Sequence, residues 1–342
     1  MEEGRRWRFG LHRWIIFGLI ALNYFAISAF PPILPHIQVP AEALSETPLF
    51  TLPIIGEFFI TNTMVAMIIA DIVLILLALA VRRAIAGGGY VFGGIAGAVQ
   101  AIVEALYELT ETTSQKYAKQ IFPWVATITL LVLVVNWTEL FPGVDSIGFL
   151  HHDDHGYPVQ TLAQVGDMEV RTIVQPEAGA VEHNGEHAED LYAVVPWVRV
   201  SSTDLNFTFA LALISVVMTQ IIGVRVLGLS YFNKFFAFKD VFSVWFKPKL
   251  GPFDLLTPFI DMFVGVLELI AELAKIVSFG FRLFGNIFAG TVLLFVIGTL
   301  VPVFVQTGVL LLEFFVGLVQ AIVFGLLTLV FMTMATQSHD DH

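Results

Sequence analysis

Apolar residues run along this chain in stretches too long for a soluble core, separated by shorter polar punctuation. The first stretch, "WIIFGLIALNYFAISAF" (14–30), follows "RRWRFGLHR" and reads as either a cleaved signal peptide or a membrane anchor, of which we expect the anchor. "FFITNTMVAMIIADIVLILLALAV" (58–81), closed by Arg82 and Arg83, and "FPWVATITLLVLVVNWTELF" (122–141) are each long enough to cross a hydrocarbon layer of about 30 Å. Between them, "VQAIVEALYELTETTSQKYAKQ" (99–120) mixes apolar positions with Glu104, Glu108, Glu111, Lys116 and Lys119, the pattern of a helix lying in the interface. A further span is expected at "FTFALALISVVMTQIIGVRVLGL" (207–229). From Pro252 to Leu300 the chain is apolar for longer than one perpendicular crossing requires, then "VPVFVQTG" interrupts it and a last run reaches Thr336. Such lengths imply steep tilt.

Composition agrees with this pattern: 57% of the 342 residues are hydrophobic and 13% charged, which places the chain among polytopic membrane proteins. The absence of cysteine excludes disulfides, thiol catalysis and cysteine-ligated metals. A formal charge of −12 suggests a basic partner only until the acids are located, because ten of the 29 fall between Val144 and Val200. That surplus belongs to one polar insert, residues 142–203, which also holds five histidines and two arginines. No nucleic-acid partner is indicated. Basic residues cluster before the first span, after the second (Arg82, Arg83, Lys116, Lys119) and over 225–249, with none in 31–56. By the positive-inside rule those clusters are cytoplasmic and residues 31–56 and 142–203 face outside.

The long run near the C-terminus carries the polar chemistry. At about 100° per residue, Asp261, Glu268, Glu272, Lys275, Arg282 and Asn286 fall within a stripe about 80° wide on an otherwise apolar helix. A bare charge at the bilayer centre costs at least about 2.5–3.5 kcal/mol, so this stripe faces protein, water or ions. Glu268, Glu272 and Lys275 are open to a plain structural reading, an ion-pair ladder in which Glu272 and Lys275 pair at i, i+3. Arg282 is different. Its nearest in-helix acid, Glu272, is about 15 Å away along the axis, and its neighbours on that face are Ser278 and Asn286. On the last helix, Glu313 is the single acid and Gln320 follows on the same face. In a hairpin, Gln320 comes level with Arg282, while Glu313 lies about 15–20 Å nearer the outside. A carboxylate on another chain is therefore the natural partner for Arg282. A permanently charged guanidinium facing an acid that comes and goes acts as a gate, and Glu313, a titratable group within an apolar span, suits proton relay. Ordinary interhelical hydrogen bonding is the plainer alternative for Glu313, Gln320 and Asn286.

Taken together, "RLFGNIFAG" after "ELAKIVSFGF", Glu268 upstream, the distal "QAIVFGLLTLVFM", "SSTDLNFTFALAL" and the "ITNTM" opening of the second span resemble subunit a of F-type ATP synthases, from about residue 57 to the C-terminus. The resemblance implies an all-α fold: an amphipathic interfacial helix plus five spans, the last two a long tilted hairpin, here with one extra N-terminal span or signal segment. It implies the segments 1–56 (N-terminal extension and outer linker), 57–141 (first family span, interfacial helix and next span), 142–203 (insert), 204–250 (span and cytoplasmic loop) and 251–337 (channel-bearing hairpin). It implies that Arg282 opposes the carboxylate of a rotating c-ring with Asn286 and Gln320 beside it, and that Glu268 lines a cytoplasmic half-channel. Asp204, Asn206 and Glu313 would belong to an outer one, with Glu272, Lys275, Ser278 and Thr291 as secondary positions. Partners implied are the c-ring, the b subunits of the peripheral stalk and the lipid bilayer. The implied location is the inner membrane of a bacterium, with both termini cytoplasmic before any cleavage. Two departures stand out: where relatives often carry a glutamate nine residues after the arginine and a histidine seven before the glutamine, this chain has Thr291 and Glu313.

Other function classes fit less well. No P-loop is present and the chain is not expected to be catalytic by itself. A self-contained proton-coupled transporter would tolerate the same intramembrane charges, yet no internal repeat or paired broken helices are visible. In the insert, "HHDDHGY" and "EHNGEHAED" raise the idea of a divalent metal or of a proton-gathering surface. Their spacing matches no defined site, so we expect a solvated loop and neither metal nor cofactor.

Overall fold

The computed structural model describes residues 9–29, 41–45, 47–53, 56–86, 93–165, 168–175, 191–235, 256–301 and 305–337. Among the described residues, seven α-helices dominate: α1 (Phe9–Ala29), α2 (Asn62–Ala86), α3 (Gly94–Ser114), α4 (Ala118–Trp137), α5 (Leu205–Leu227), α6 (Leu256–Leu300) and α7 (Val305–Ala335). Among the described residues, five helical stretches are long and apolar enough to cross a membrane: Asn62–Ala86, Ala96–Leu140, Leu205–Leu227, Met262–Leu300 and Val305–Ala335. The chain is thus a polytopic, mostly helical membrane protein. Its outward-facing leucines, isoleucines and valines, such as Ile68, Ile72, Ile75 and Leu76 on α2, are exposed because lipid rather than protein is their natural solvent. Of the basic stretch 225–249, the part from residue 236 onward, with Lys239, Lys247 and Lys249, lies outside the described residues.

By its contacts the chain forms two compact units, one of residues 1–65, 139–199 and 288–316, the other of 66–138, 200–287 and 317–342. In the first unit, β1 (Phe50–Leu52) and β2 (Gly56–Phe58) make a short antiparallel ladder ahead of α2. The sequence reading started a span at Phe58; the helix instead starts at Asn62, because residues 56–58 are taken by β2. Asn62 is fully buried and is held by Glu42, its Nδ2 donating to Glu42 Oε2 at 3.0 Å and its Oδ1 accepting from the Glu42 backbone N–H at 3.3 Å.

The insert departs from the solvated loop expected of it. β3 (Gly148–Tyr157) pairs antiparallel with β6 (Tyr192–Pro196), in the register Phe149 to Val195 and His152 to Tyr192, while β4 (Val159–Val165) and β5 (Met168–Ile173) form a hairpin. Tyr192, Val194 and Val195 supply the β-branched and aromatic residues that fit a pleated surface, and Val195 is buried. The acidic, histidine-containing stretch 182–190 lies outside the described residues.

In the second unit, α3 folds back on α4 at Gln115, whose φ of 43° turns the chain, and Tyr107 meets Phe122 edge to face with ring centroids 5.1 Å apart. Ile121 and Val125 on α4, Ile222 on α5 and Leu329 and Met332 on α7 form a closed core. Within lipid, apolar burial contributes little to holding helices together, so close contact rests on small residues and hydrogen bonds. Asn136 on α4 donates to the Gly317 carbonyl at 3.3 Å and accepts from Ser202 Oγ at 2.6 Å. Ser215 on α5 shares a 2.9 Å hydrogen bond with Thr328 on α7. Gly325 lies against Thr129, and a Cβ there would run into the threonine hydroxyl.

The α4–α7 contact yields a test. Gly325→Ala forces that overlap and is expected to destabilise the detergent-solubilised protein by about 1–3 kcal/mol, the usual cost of overpacking. Thr129→Ala removes the obstructing Oγ1 and should restore most of the loss. Thermal unfolding of the two single variants and the double variant measures both effects.

Candidate functional site

Arg282 sits on the exposed face of α6 in the second unit. Its Nη2 donates to Ser278 Oγ at 3.3 Å, and its guanidinium lies 5.9 Å from the Phe279 ring centre. Among the described residues it has no ion pair. The polar stripe read from the sequence divides at this point. Glu272 turns inward and is buried, with Lys275 donating to its Oε1 at 2.8 Å while the lysine ammonium stands 4.6 Å from the Phe331 ring centre on α7. The i, i+3 pairing foreseen for Glu272 and Lys275 is thus present, whereas Arg282 and Asn286 remain on the outer surface of the helix. The Asp261 side chain lies outside the described residues.

Ring contacts set the register of the hairpin in this unit. Phe279 packs on Phe324 at 5.0 Å and on Phe331 at 5.5 Å, so α6 and α7 run antiparallel and Gln320 comes beside Leu283, one residue from Arg282. Gly280 permits the approach of Phe209 from α5, whose ring a Cβ would meet at 2.7 Å. Nearby, a cleft of about 290 Å³ opens against α5 and α6, with Gln220, Glu272 and Leu269 in its wall and Phe232 and Phe235 at one end. Tyr231 donates to Gln220 Oε1 at 2.6 Å. Burial, with Glu272 and Glu268 adding to it, pushes the Tyr231 hydroxyl up to about 12, so it stays a donor. Glu268 is half-buried. Asp204 is buried and caps α5, its Oδ1 accepting from the Asn206 backbone N–H at 2.9 Å, which gives it a structural duty besides the channel role expected of it. The Asn206 side chain is exposed.

The first unit brings together a different set. Glu139, in the helical turn that ends α4, accepts from Thr291 Oγ1 at 2.7 Å. Glu313 on α7 belongs to the same cluster: its charge acts on Glu139, and its carboxylate lies over Gly290, where a Cβ would collide with it. Glu139, Thr291 and Glu313 are all buried, and Glu313 Oε2 has no hydrogen-bond partner among the described residues. Two carboxyl groups and a hydroxyl, buried in one cluster, are chemically able to hold a proton and pass it on. Sequence reasoning singled out Glu313 and Thr291 but not Glu139. The signal was available: "NWTELF" places an acid within an apolar run, as the Glu313 segment does.

Further out in the same unit, Asp145 adopts a left-handed φ of 60°, donates its backbone N–H to Val198 at 3.1 Å, and has a buried Oδ1 with no hydrogen-bond partner among the described residues. Burial pushes its carboxyl up to about 7; the buried Arg199 guanidinium opposes that rise and Glu42 adds to it. In the insert, no described group of His, Asp and Glu is arranged to hold a metal ion.

The sequence profile of the ATP synthase A chain family matches residues 63–333. Among individual relatives, the ATP synthase subunit a of Aliivibrio fischeri is 36% identical over 151 residues, 43% of this chain and 51% of that protein. The subunit a of Aliarcobacter butzleri is 33% identical over 155 residues, covering 45% and 60% of the two chains. That of Teredinibacter turnerae is 27% identical over a longer stretch of 258 residues, 73% and 70% respectively. The chain spans about half the length of the first of these curated relatives.

Asp145 carries a pH prediction. Its folded value, about 7, stands above the ordinary 3.8, so the folded state keeps a proton that the unfolded state releases. Its contribution is complete below about pH 4 and is lost as pH rises through about 7. Asp145→Asn retains a residue tolerant of the left-handed backbone and removes the titration. Its apparent unfolding temperature is expected to fall less than that of the parent protein between pH 4 and pH 7.5, as measured by thermal scans in detergent.

Proposed function

The chain belongs to the ATP synthase A chain family, and from that premise we propose that it is the stator subunit through which protons cross the membrane to turn a ring of c subunits. Arg282 carries the reading. It is a guanidinium on the exposed side of a spanning helix, with no ion pair among the described residues, level with Gln320 and followed one turn later by Asn286. A fixed positive charge on a lipid-depth surface asks for a carboxylate supplied from outside the chain. The ring carboxylate meets Arg282 ionised, having released its proton on one side, and regains one on the other. The guanidinium cannot be deprotonated, so a proton cannot hop past it directly.

Two access paths follow from the two sets of polar groups. The Glu139, Thr291 and Glu313 cluster forms the outer path, with Asp204 and Asn206 nearby in function. Here Glu313 takes the place of the histidine frequent in relatives, and Glu139 replaces its lost companion. The cleft flanked by Gln220 and Glu272, together with Glu268, forms the cytoplasmic path. In this arrangement residues 142–203 face outside, both termini are cytoplasmic, α3 lies along the inner interface, and the b subunits of the peripheral stalk hold the chain against rotation. The chain itself catalyses no covalent step; nucleotide chemistry belongs to the head of the complex.

Two experiments in inverted membrane vesicles carrying the assembled complex test this. Arg282→Ala should abolish ATP-driven acidification while passive proton leak, recorded after removal of the catalytic head, persists or rises; undiminished pumping would remove the gate. Glu139→Gln and Glu313→Gln each delete a group able to give up its proton. Each is expected to slow both pumping and passive flow by about 10²-fold, the scale of a lost proton-transfer group, while ATP hydrolysis by the detached head is unaffected. Rates within twofold of the parent in both variants would exclude this cluster from the path.

A further inference from the structure

The insert carries an apolar patch that neither the proton path nor its own folding uses. Phe141, the residue immediately after the Ala96–Leu140 span, is 67% exposed, and Ile147, Phe149 and Trp197 are 55%, 49% and 46% exposed. These side chains are gathered by the backbone rather than scattered. Trp197 donates its N–H to the Ile147 carbonyl at 2.9 Å, at the foot of the β3–β6 ladder, and Phe149 meets the Trp197 indole edge to face with ring centroids 5.6 Å apart. The chain turns from Phe141 into the patch through Gly143, whose φ of 97° suits glycine and where a Cβ would meet Ile147 Cδ1 at 2.9 Å. A second, separate element repeats the pattern: in the β1–β2 ladder Phe50 stacks on Phe58 at 4.7 Å, with Phe50 and Leu49 45% and 62% exposed, four residues before α2 begins.

Exposed aromatics of this density on a water-facing loop would cost solubility, and their position says what covers them. The patch begins with Phe141, the residue that follows the end of an apolar span, so by chain position it starts where the polypeptide leaves the hydrocarbon, at the level of the headgroup zone. Trp and large apolar side chains at that level are stabilised by an apolar body below and polar partners above. The histidines stand on the same strand: His152 is three residues past Phe149, no more than about 10 Å along the ladder.

We propose that the β3–β6 ladder is a membrane-interface element, with Phe141, Ile147, Phe149 and Trp197 inserted at the boundary between lipid headgroups and acyl chains. The ladder then holds His151 and His152 at the polar surface of the bilayer, a different placement from that of a loop free in solution. A second copy of the chain or another subunit of the complex are the competing occupants.

The absence of native cysteine makes the test direct. Single variants Phe149→Cys, Trp197→Cys and, as an exposed polar reference on β4, Gln164→Cys are spin-labelled. The full chain is reconstituted in phosphatidylcholine and phosphatidylglycerol vesicles, alone and within its assembled complex. Collision with dissolved oxygen, which concentrates in lipid, is compared with collision with a water-soluble nickel chelate. The expected result is an oxygen-to-chelate ratio several-fold higher at positions 149 and 197 than at 164, in both preparations. Ratios equal to that of position 164 would overturn the proposal in favour of a solvated patch. Labels closed to both reagents would overturn it in favour of a protein partner, another copy if seen with the chain alone and another subunit if seen only in the complex. None of these readings depends on proton pumping, so the outcome is independent of the role assigned to Arg282.

Discussion

A guanidinium that cannot lose its charge, set on a spanning helix, is the constraint around which the C-terminal half of the protein is arranged. Lipid offers Arg282 nothing to pair with, and the contacts on its own helix, a serine hydroxyl at 3.3 Å and the edge of an aromatic ring, do not neutralise it. The ring carboxylate proposed above would offset that cost from outside the chain. The neighbours of Arg282 are fitted to leave it accessible: Gly280 lets the Phe209 ring pack closely behind the helix, and Leu283 and Ile287 are buried on the opposite side. The other intramembrane cation is treated in the contrary way. Lys275 is bonded to Glu272 and seated over Phe331, so its charge is consumed within the fold. Two cations seven residues apart on one helix thus stand in opposite settings, one bonded within the fold and one left on its exposed face.

Much of this was legible in the order of residues because lipid enforces simple rules. Long apolar runs must be helical, basic residues mark one side, and an arginine inside a run stands out against so plain a background. The antiparallel register that brings Gln320 level with Arg282 also follows from sequence, since a short break between two apolar helices permits little else. What escaped was of two kinds. Helical phase alone put Glu272 and Arg282 on a common stripe, yet one is buried and the other exposed, since burial depends on which neighbours pack at each level and phase carries no such information. The insert escaped too. Its histidines and acids suggest solvent, while the pairing of "GFLHH" with "YAVVP" joins segments some forty residues apart that short-range pattern does not connect.

The buried carboxylates show a third limit. Glu313 was conspicuous as the single acid of the last helix, but its companions come from elsewhere in the chain: Glu139 from the end of α4 and Thr291 from α6. Glu139 lies close to the end of its apolar run, where an acid reads as the start of the polar loop. The apolar run around it marks Glu139 as an acid of note, but its burial and its donor, Thr291, come from the fold.

If that cluster is the outer path proposed above, it also offers a substitute for the glutamate and histidine that the family resemblance leads one to expect. A glutamate on α6 facing a histidine on α7 would need room for both side chains. Here α6 carries the shorter Thr291, preceded by Gly290, and the longer acid comes from the opposite helix to occupy the space that the missing Cβ leaves. Exchanging which helix bears the acid preserves a carboxylate at that depth, but it also removes a group able to carry positive charge. The remaining partners, Thr291 and Glu139, offer a hydroxyl and a second carboxylate, so a proton here would be held by a neutral carboxylic acid where a histidine would hold one as a cation. Gly290 leaves the space that the end of the Glu313 side chain occupies, and a Cβ at that position would make the carboxylate shift.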